Sequence, residues 1–142
     1  MLSDSNIPRD TIQAYLETHY QVFAEMPITL RIGQFNPALA ALHDVRHVGC
    51  SAFITACNPL SRSLDPQANA ARQETLAREL EALGLAYVEG IGKHPSNHWP
   101  GEASFLVLGA TLDTAKALGN KHDQNAIVWC AADAVPQLIL LR

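Results

Sequence analysis

The chain has 142 residues, 48% of them hydrophobic and 17% charged, with a formal net charge of −4. That balance belongs to a single domain over 1–142, with 1–7 as a flexible tail, and excludes a disordered or fibrous segment. Ten basic residues without a run among them argue against nucleic acid as a partner, because phosphate neutralisation needs clustered Lys and Arg. No apolar stretch reaches the roughly 18 residues of a membrane span, and the first residues lack the basic and apolar regions of a secretion signal, so a cytoplasmic location without membrane contact is expected.

In chain order, Pro8 to about Phe23 sets Ile12, Leu16, His19 and Phe23 on one stripe, with Tyr15 and Val22 beside it, which predicts an amphipathic N-terminal helix. Pro27 stops it, and Ile28 to Ile32 alternates as a half-buried strand ending at Gly33. Asn36 and Pro37 then offer a cap and a first turn for a short helix over about 38–45. Ala52 to Ala56 reads as a buried strand, and Pro66 to Leu83 as a helix with Leu76, Leu80 and Leu83 on one face, ended by Gly84. A short strand over 86–90 leads into a Gly/Pro/Asn-rich loop to Gly101. Ser104 to Leu108 is a second buried strand, Leu112 to Leu118 a short helix, and 126–130 and 138–141 are the last strands.

From 52 to 130 the order is β-α-β-β-α-β. This predicts an α+β fold of the ferredoxin-like type, an antiparallel sheet with an added N-terminal helix and extra edge strands. The strands at 52–57 and 103–108 should then be central neighbours, with 86–89 and 126–130 outside them. Their lack of clean alternation predicts that both sheet faces are covered. The helices at 66–83 and 112–118 can cover one; the N-terminal helix, a second copy in a homodimer, or both should cover the other.

The same topology collects the chain's polar groups on one rim of the sheet: Asn58, Ser61, His94, His98, Trp99, Glu102, Ser104, Gln124 and Asn125. Asn69 and Arg72 join them, seven and four residues before Leu76, near a helix N-terminus that favours an anionic group. Each residue has a plainer reading. Asn58-Pro59 and Ser61 are also turn formers, Asn69 and Arg72 can anchor a buried loop, and Gln124 and Asn125 can pin rim loops together instead of reading a ligand. Glu102 either pairs with Arg62 or Arg72 or sits in a drier cleft as a general base. Trp99 is a lid over a planar ligand or a plug over the core.

Metal and thiol chemistry are less well supported. His94 and His98 are four residues apart, as are His43 and His47, but no Cys or Asp completes either set, so no metal and no cofactor is expected. Cys57 after a strand has the position of a nucleophile, yet Cys50, Cys57 and Cys130, an odd number without paired spacing, read most simply as small core residues.

The motifs Thr55-Ala56-Cys57-Asn58-Pro59-Leu60-Ser61 with Asn69, Trp99-Pro100-Gly101-Glu102-Ala103-Ser104-Phe105 and Gln124-Asn125-Ala126 resemble those of a small bacterial family, domain of unknown function 3293. The resemblance runs from about Tyr15 to Leu141. It implies a signature at Asn58, Pro59, Ser61, Asn69, Trp99, Glu102, Ser104, Gln124 and Asn125, with an aromatic residue usual where Cys57 stands here, and it brings no activity with it.

Three functions stay open on these residues. The first is a small-ligand-binding or regulatory domain whose rim recognises a polar or anionic molecule, a nucleotide-like one among the candidates. The second is a hydrolase or transferase with Glu102 as general base and Asn58, Arg72 and Gln124 as electrostatic supports. The third is an antitoxin-like module presenting the rim to a protein.

Overall fold

Strand β3 (Ser51–Ile54) is buried at all four positions, as a strand must be when a layer of structure lies on each of its faces. The computed structural model describes residues 5–96 and 101–142, and within them β3 lies inside an antiparallel sheet. The other strands are β1 (His19–Val22), β2 (Ile28–Leu30), β4 (Tyr87–Lys93), β5 (Glu102–Leu108), β6 (Ala126–Cys130) and β7 (Pro136–Leu140). Their order across the sheet is β2-β1-β4-β5-β3-β6-β7. β3 pairs with β5 through Ser51↔Leu108 and Ile54↔Phe105, and with β6 through Ser51↔Cys130. The ends of β3 and β4 and the starts of β1, β5 and β6 therefore share one rim.

Four helices among the described residues complete a mixed α/β fold: α1 (Arg9–Glu17), α2 (Pro37–Arg46), α3 (Pro66–Ala82) and α4 (Leu112–Lys121). The caps are local chemistry. Asn36, Asp65 and Thr111 each accept a hydrogen bond from the backbone N–H three residues on, which satisfies one of the orphan donors of a first turn. Leu76 and Leu80 of α3 and Ala115 and Leu118 of α4 pack with Ala52, Ile54, Phe105 and Val107 on one sheet face. On the other face Tyr20, Val22, Phe53, Leu106, Leu108 and Val128 form a second core with Leu39 of α2. Each face thus has helices of this same chain over it, α1 and α2 on the second.

Two expectations are corrected. The predicted N-terminal helix over 8–23 ends at Glu17; Thr18 turns extended and residues 19–22 are a strand paired with both β2 and β4. His-Tyr-Gln-Val satisfies a helical stripe and a two-residue alternation alike, and the register that buries Tyr20 and Val22 decides for the strand. The loop expected to begin at Gly90 is instead the second half of β4. A side chain at Gly90 would collide with the carbonyl oxygen of Gln21, so the glycine is what lets β1 lie against this strand.

Candidate functional site

The segment that leaves β3 is held in an unusual backbone path. Asn58, Leu60 and Ser61 all have positive φ, at 48°, 56° and 59°. Asn tolerates this region, whereas a leucine there costs roughly 1–2 kcal/mol that the surroundings must offset. They do so with specific bonds: Leu60 N–H donates to the Asp123 carbonyl at 2.7 Å, and Ser61 N–H to the Asn58 carbonyl at 2.9 Å.

Asn58 is the hub. Its Nδ2 donates to Glu102 Oε2 at 2.7 Å, its Oδ1 accepts from Leu64 N–H at 2.9 Å and from Asn69 Nδ2 at 2.8 Å, and its own N–H donates to Asn69 Oδ1 at 2.8 Å. Behind this pair, Arg72 donates from Nε to the Ala56 carbonyl at 2.7 Å and from Nη2 to the His122 carbonyl at 2.8 Å. Gln124 Nε2 donates to the carbonyls of Cys57 and His122, both at 3.1 Å. Arg72 and Gln124 therefore tie the loop after β3 to the loop before β6. At the outer edge, Ser61 Oγ lies 2.7 Å from the Tyr15 hydroxyl and accepts from Asn125 Nδ2 at 2.9 Å, joining α1 to the rim.

Between α1 and the sheet lies a cavity of about 330 Å³. Its inner end is apolar, with Tyr20 and Phe53 packed edge to face at a centroid distance of 5.3 Å. Its polar end is formed by Asn58, Ser61, Glu102, Ser104, Gln124 and His94. Ser104 Oγ donates to the Glu102 carbonyl at 3.0 Å, and His94 Nε2 lies 2.8 Å from Glu17 Oε1. Glu102 forms no ion pair among the described residues, neither with Arg62 nor with Arg72. Burial holds its carboxyl above the ordinary carboxylate range, against the lowering effect of the Asn58 N–H.

Of the residues singled out in the sequence, Asn58, Ser61, Glu102, Ser104 and Gln124 line this cavity, and Asn125 reaches it through Ser61. Asn69 and Arg72 stand behind it, bonded to the protein itself. Asp65 fills the cap of α3 ahead of them. Trp99 and His98 lie outside the described residues. Burial raises the Cys57 thiol, the opposite of what a nucleophile needs. His43 is buried against Ser51 Oγ at 2.8 Å and His47 caps α2, so that pair does not converge. Among the described residues no three His, Cys, Asp or Glu side chains gather to hold a metal ion, and no helix is long and apolar enough to cross a membrane.

Sequence reasoning did not assign Asp10, Tyr15 and Thr55 to the cavity or Gln73 to the network. Gln73 carried a signal: it lies three and seven residues before Leu76 and Leu80, a polar residue on the buried stripe of α3.

The chain is therefore a mixed α/β domain with an antiparallel sheet whose hydrogen-bonded rim borders a half-polar cavity. The sequence model of the family described as "Protein of unknown function (DUF3293)" matches residues 54–127, just over half of the chain, and the protein belongs to that family. The match runs from the end of β3 into β6, narrower than the 15–141 expected, and it contains Asn58, Glu102 and Gln124. Comparison with curated proteins and with solved structures gives no significant match.

Proposed function

We propose that this protein is a small-ligand-binding domain whose site is the cavity between α1 and the sheet. The observation that carries this reading is Glu102: a half-buried carboxylate at the polar end of a cavity whose described lining includes Asp10 but no Lys or Arg. An anionic or nucleotide-like ligand would find no Lys or Arg among the described lining and would face Glu102 and Asp10, so the reading favours a compact molecule with an apolar body, seated by Tyr20 and Phe53, and a neutral or cationic N–H or O–H donor directed at Glu102. Aromatic rings beside a carboxylate suit an organic amine in particular. The antiparallel order β4-β5-β3-β6, with α3 and α4 on one face, supports the ferredoxin-like description of the central unit.

A second reading has one observation in its favour. A carboxyl raised by burial is suited to accept a proton in a hydrolase or transferase, with Glu102 as the base. It requires a bound molecule whose reacting proton reaches Glu102, so both readings begin with the same binding event.

Benzylamine, benzyl alcohol and benzoate share a ring and differ in charge, and titration of each by isothermal calorimetry tests the site. Benzylamine and benzyl alcohol should bind, benzoate should not, and Glu102→Gln should abolish the preference for the amine. Tightest binding by benzoate, or no binding by any of the three, would overturn the proposal.

A further inference from the structure

Two glycines interrupt β4, and they are not equivalent. Gly90 makes room for the Gln21 carbonyl oxygen of β1. Gly92 has no such reason to be a glycine. Its φ lies outside the left-handed region. Pairing is unbroken on both sides of it, from His19↔Lys93 to Val22↔Gly90 and from Gly92↔Glu102 to Tyr87↔Val107, so it marks no bulge. A Cβ placed there would meet only side-chain atoms, Thr18 Cγ2 and Tyr20 Cδ1 at 3.7 Å and Phe53 Cε1 at 3.8 Å, all at ordinary van der Waals distance. A glycine inside a strand gives up order and packing in comparison with alanine. Where neither the backbone nor a neighbouring strand needs it, the remaining use of the missing side chain is room for a ligand.

Gly92 lines the cavity between α1 and the sheet, and the register fixes what stands on each side of it. Tyr20 of β1 and Glu102 of β5 are its direct cross-strand partners, and residues directly opposite one another in an antiparallel sheet project to the same face. One row across three strands therefore carries a ring, an empty position and a carboxylate, with Tyr20 and Glu102 about 10 Å apart by two strand spacings. Both ends are held in place. The Tyr20 hydroxyl donates to the Tyr15 carbonyl at 2.6 Å and its ring packs edge to face on Phe53, while Asn58 holds Glu102. Thr18, Tyr20 and Phe53 close around the Gly92 position so nearly that the space over it is narrow, about the width of a methyl group.

We propose that Gly92 is the selectivity position of this site and that the ligand class is an arylalkylamine, its flat ring over Gly92 against Tyr20 and Phe53 and its ammonium, one or two carbons away, at Glu102. This rests on the cavity being a ligand site and adds to that reading the shape and length of the ligand. A saturated ring is too thick for the slot, and a four-carbon linker carries the ammonium past Glu102.

Calorimetric titration of benzylamine, cyclohexylmethylamine and 4-phenylbutylamine into wild type, Gly92→Ala and Glu102→Gln tests the assignment. Wild type should bind benzylamine at least about tenfold more tightly than the other two, the discrimination expected for a methylene-sized misfit in an apolar pocket. Gly92→Ala should weaken benzylamine by about tenfold for the same reason, keep the preference for benzylamine over benzyl alcohol, and melt at or above the wild-type temperature because its methyl meets no clash. Glu102→Gln should do the reverse, losing the preference for the amine and keeping that for the flat ring. In wild type, the ring protons of bound benzylamine should give nuclear Overhauser contacts to the Gly92 Hα protons. Failure of all three amines to bind wild type would overturn the cavity reading and this inference together. Binding of benzylamine without preference over the other two amines, undiminished binding by Gly92→Ala, absent contacts to Gly92, or a clear drop in the melting temperature of Gly92→Ala would leave the cavity a binding site and overturn the role of Gly92.

Discussion

Asn58 and Glu102, 44 residues apart in sequence, are joined by one hydrogen bond of 2.7 Å, and both line the cavity between α1 and the sheet. The bond fixes the direction of the Glu102 carboxylate, while the remaining Asn58 atoms hold the strained loop and the start of α3. Loop anchoring and the placing of the Glu102 carboxylate thus fall to different atoms of one Asn58 side chain.

Replacing Asn58 should therefore be costly for two separable reasons. Asn58→Ala leaves buried partners unpaired and puts at φ 48° a residue that tolerates the left-handed region less well than asparagine, for a combined loss of about 2–4 kcal/mol in chemical denaturation. Asn58→Gly loses the same bonds without the backbone strain and should be less destabilising by about 1 kcal/mol. Equal losses for the two variants would remove strain from the account.

Glu102 gives a pH-dependent signature. Its folded-state pKa is raised by burial, so the folded protein holds this proton more tightly than the unfolded chain. The destabilisation is absent below the unfolded value, about pH 4.3, and is fully present once the pH has risen through the folded value. Glu102→Gln keeps an oxygen for Asn58 and removes the charge, so it should be more stable than wild type at pH 7.5, with the difference closing as the pH falls towards 4. A variant less stable than wild type at pH 7.5 would show instead that the carboxylate is a structural partner.

The sheet was legible where apolar runs are uninterrupted. Strands β3, β5 and β6 are too short and too apolar to be surface helices, and the alternation of these runs with helical stripes gave their neighbours. The start of the first helix was legible but its end was not, because Tyr20 and Val22 fit either period and only the approach of β4 at Gly90 selects the strand over 19–22. Rim polarity was readable for Asn58, Glu102 and Gln124, each abutting an apolar run. Asp10 and Tyr15 were not readable as cavity residues, since a polar helix face over a cavity has the same pattern as one facing water. The bonding of Arg72 to two carbonyls, in place of a ligand or a carboxylate, depends on where two distant loops meet, which no local pattern encodes.

Gly90 tests that account of β1. A Cβ there would overlap the Gln21 carbonyl oxygen and lie 3.0 Å from the Phe53 ring, and neither neighbour can swing away freely. Gly90→Ala should cost about 2–3 kcal/mol through displacement of β1. It should also disturb the amide signals of Phe53 and Tyr20 at the inner end of the cavity. A loss under about 0.5 kcal/mol would mean that β1 can shift without penalty and that the cavity does not depend on its position.

Arg72 and Gln124 share an acceptor, and this makes their energetics non-additive. Each donates to the His122 carbonyl and to one other, Ala56 for Arg72 and Cys57 for Gln124. Arg72→Met or Gln124→Met alone orphans one carbonyl but leaves His122 with a donor, so each should cost about 1–3 kcal/mol. The double variant strips the His122 carbonyl of both side-chain donors, an additional loss that neither single variant incurs. Its cost should exceed the sum of the two by about 0.5–1 kcal/mol, within the range measured for residues of one hydrogen-bond network. Denaturation of the four proteins in a double-mutant cycle measures this coupling directly. Additivity within about 0.3 kcal/mol would show that the two side chains act on their loops independently, and the clamp between the loop after β3 and the loop before β6 would then be two separate tethers.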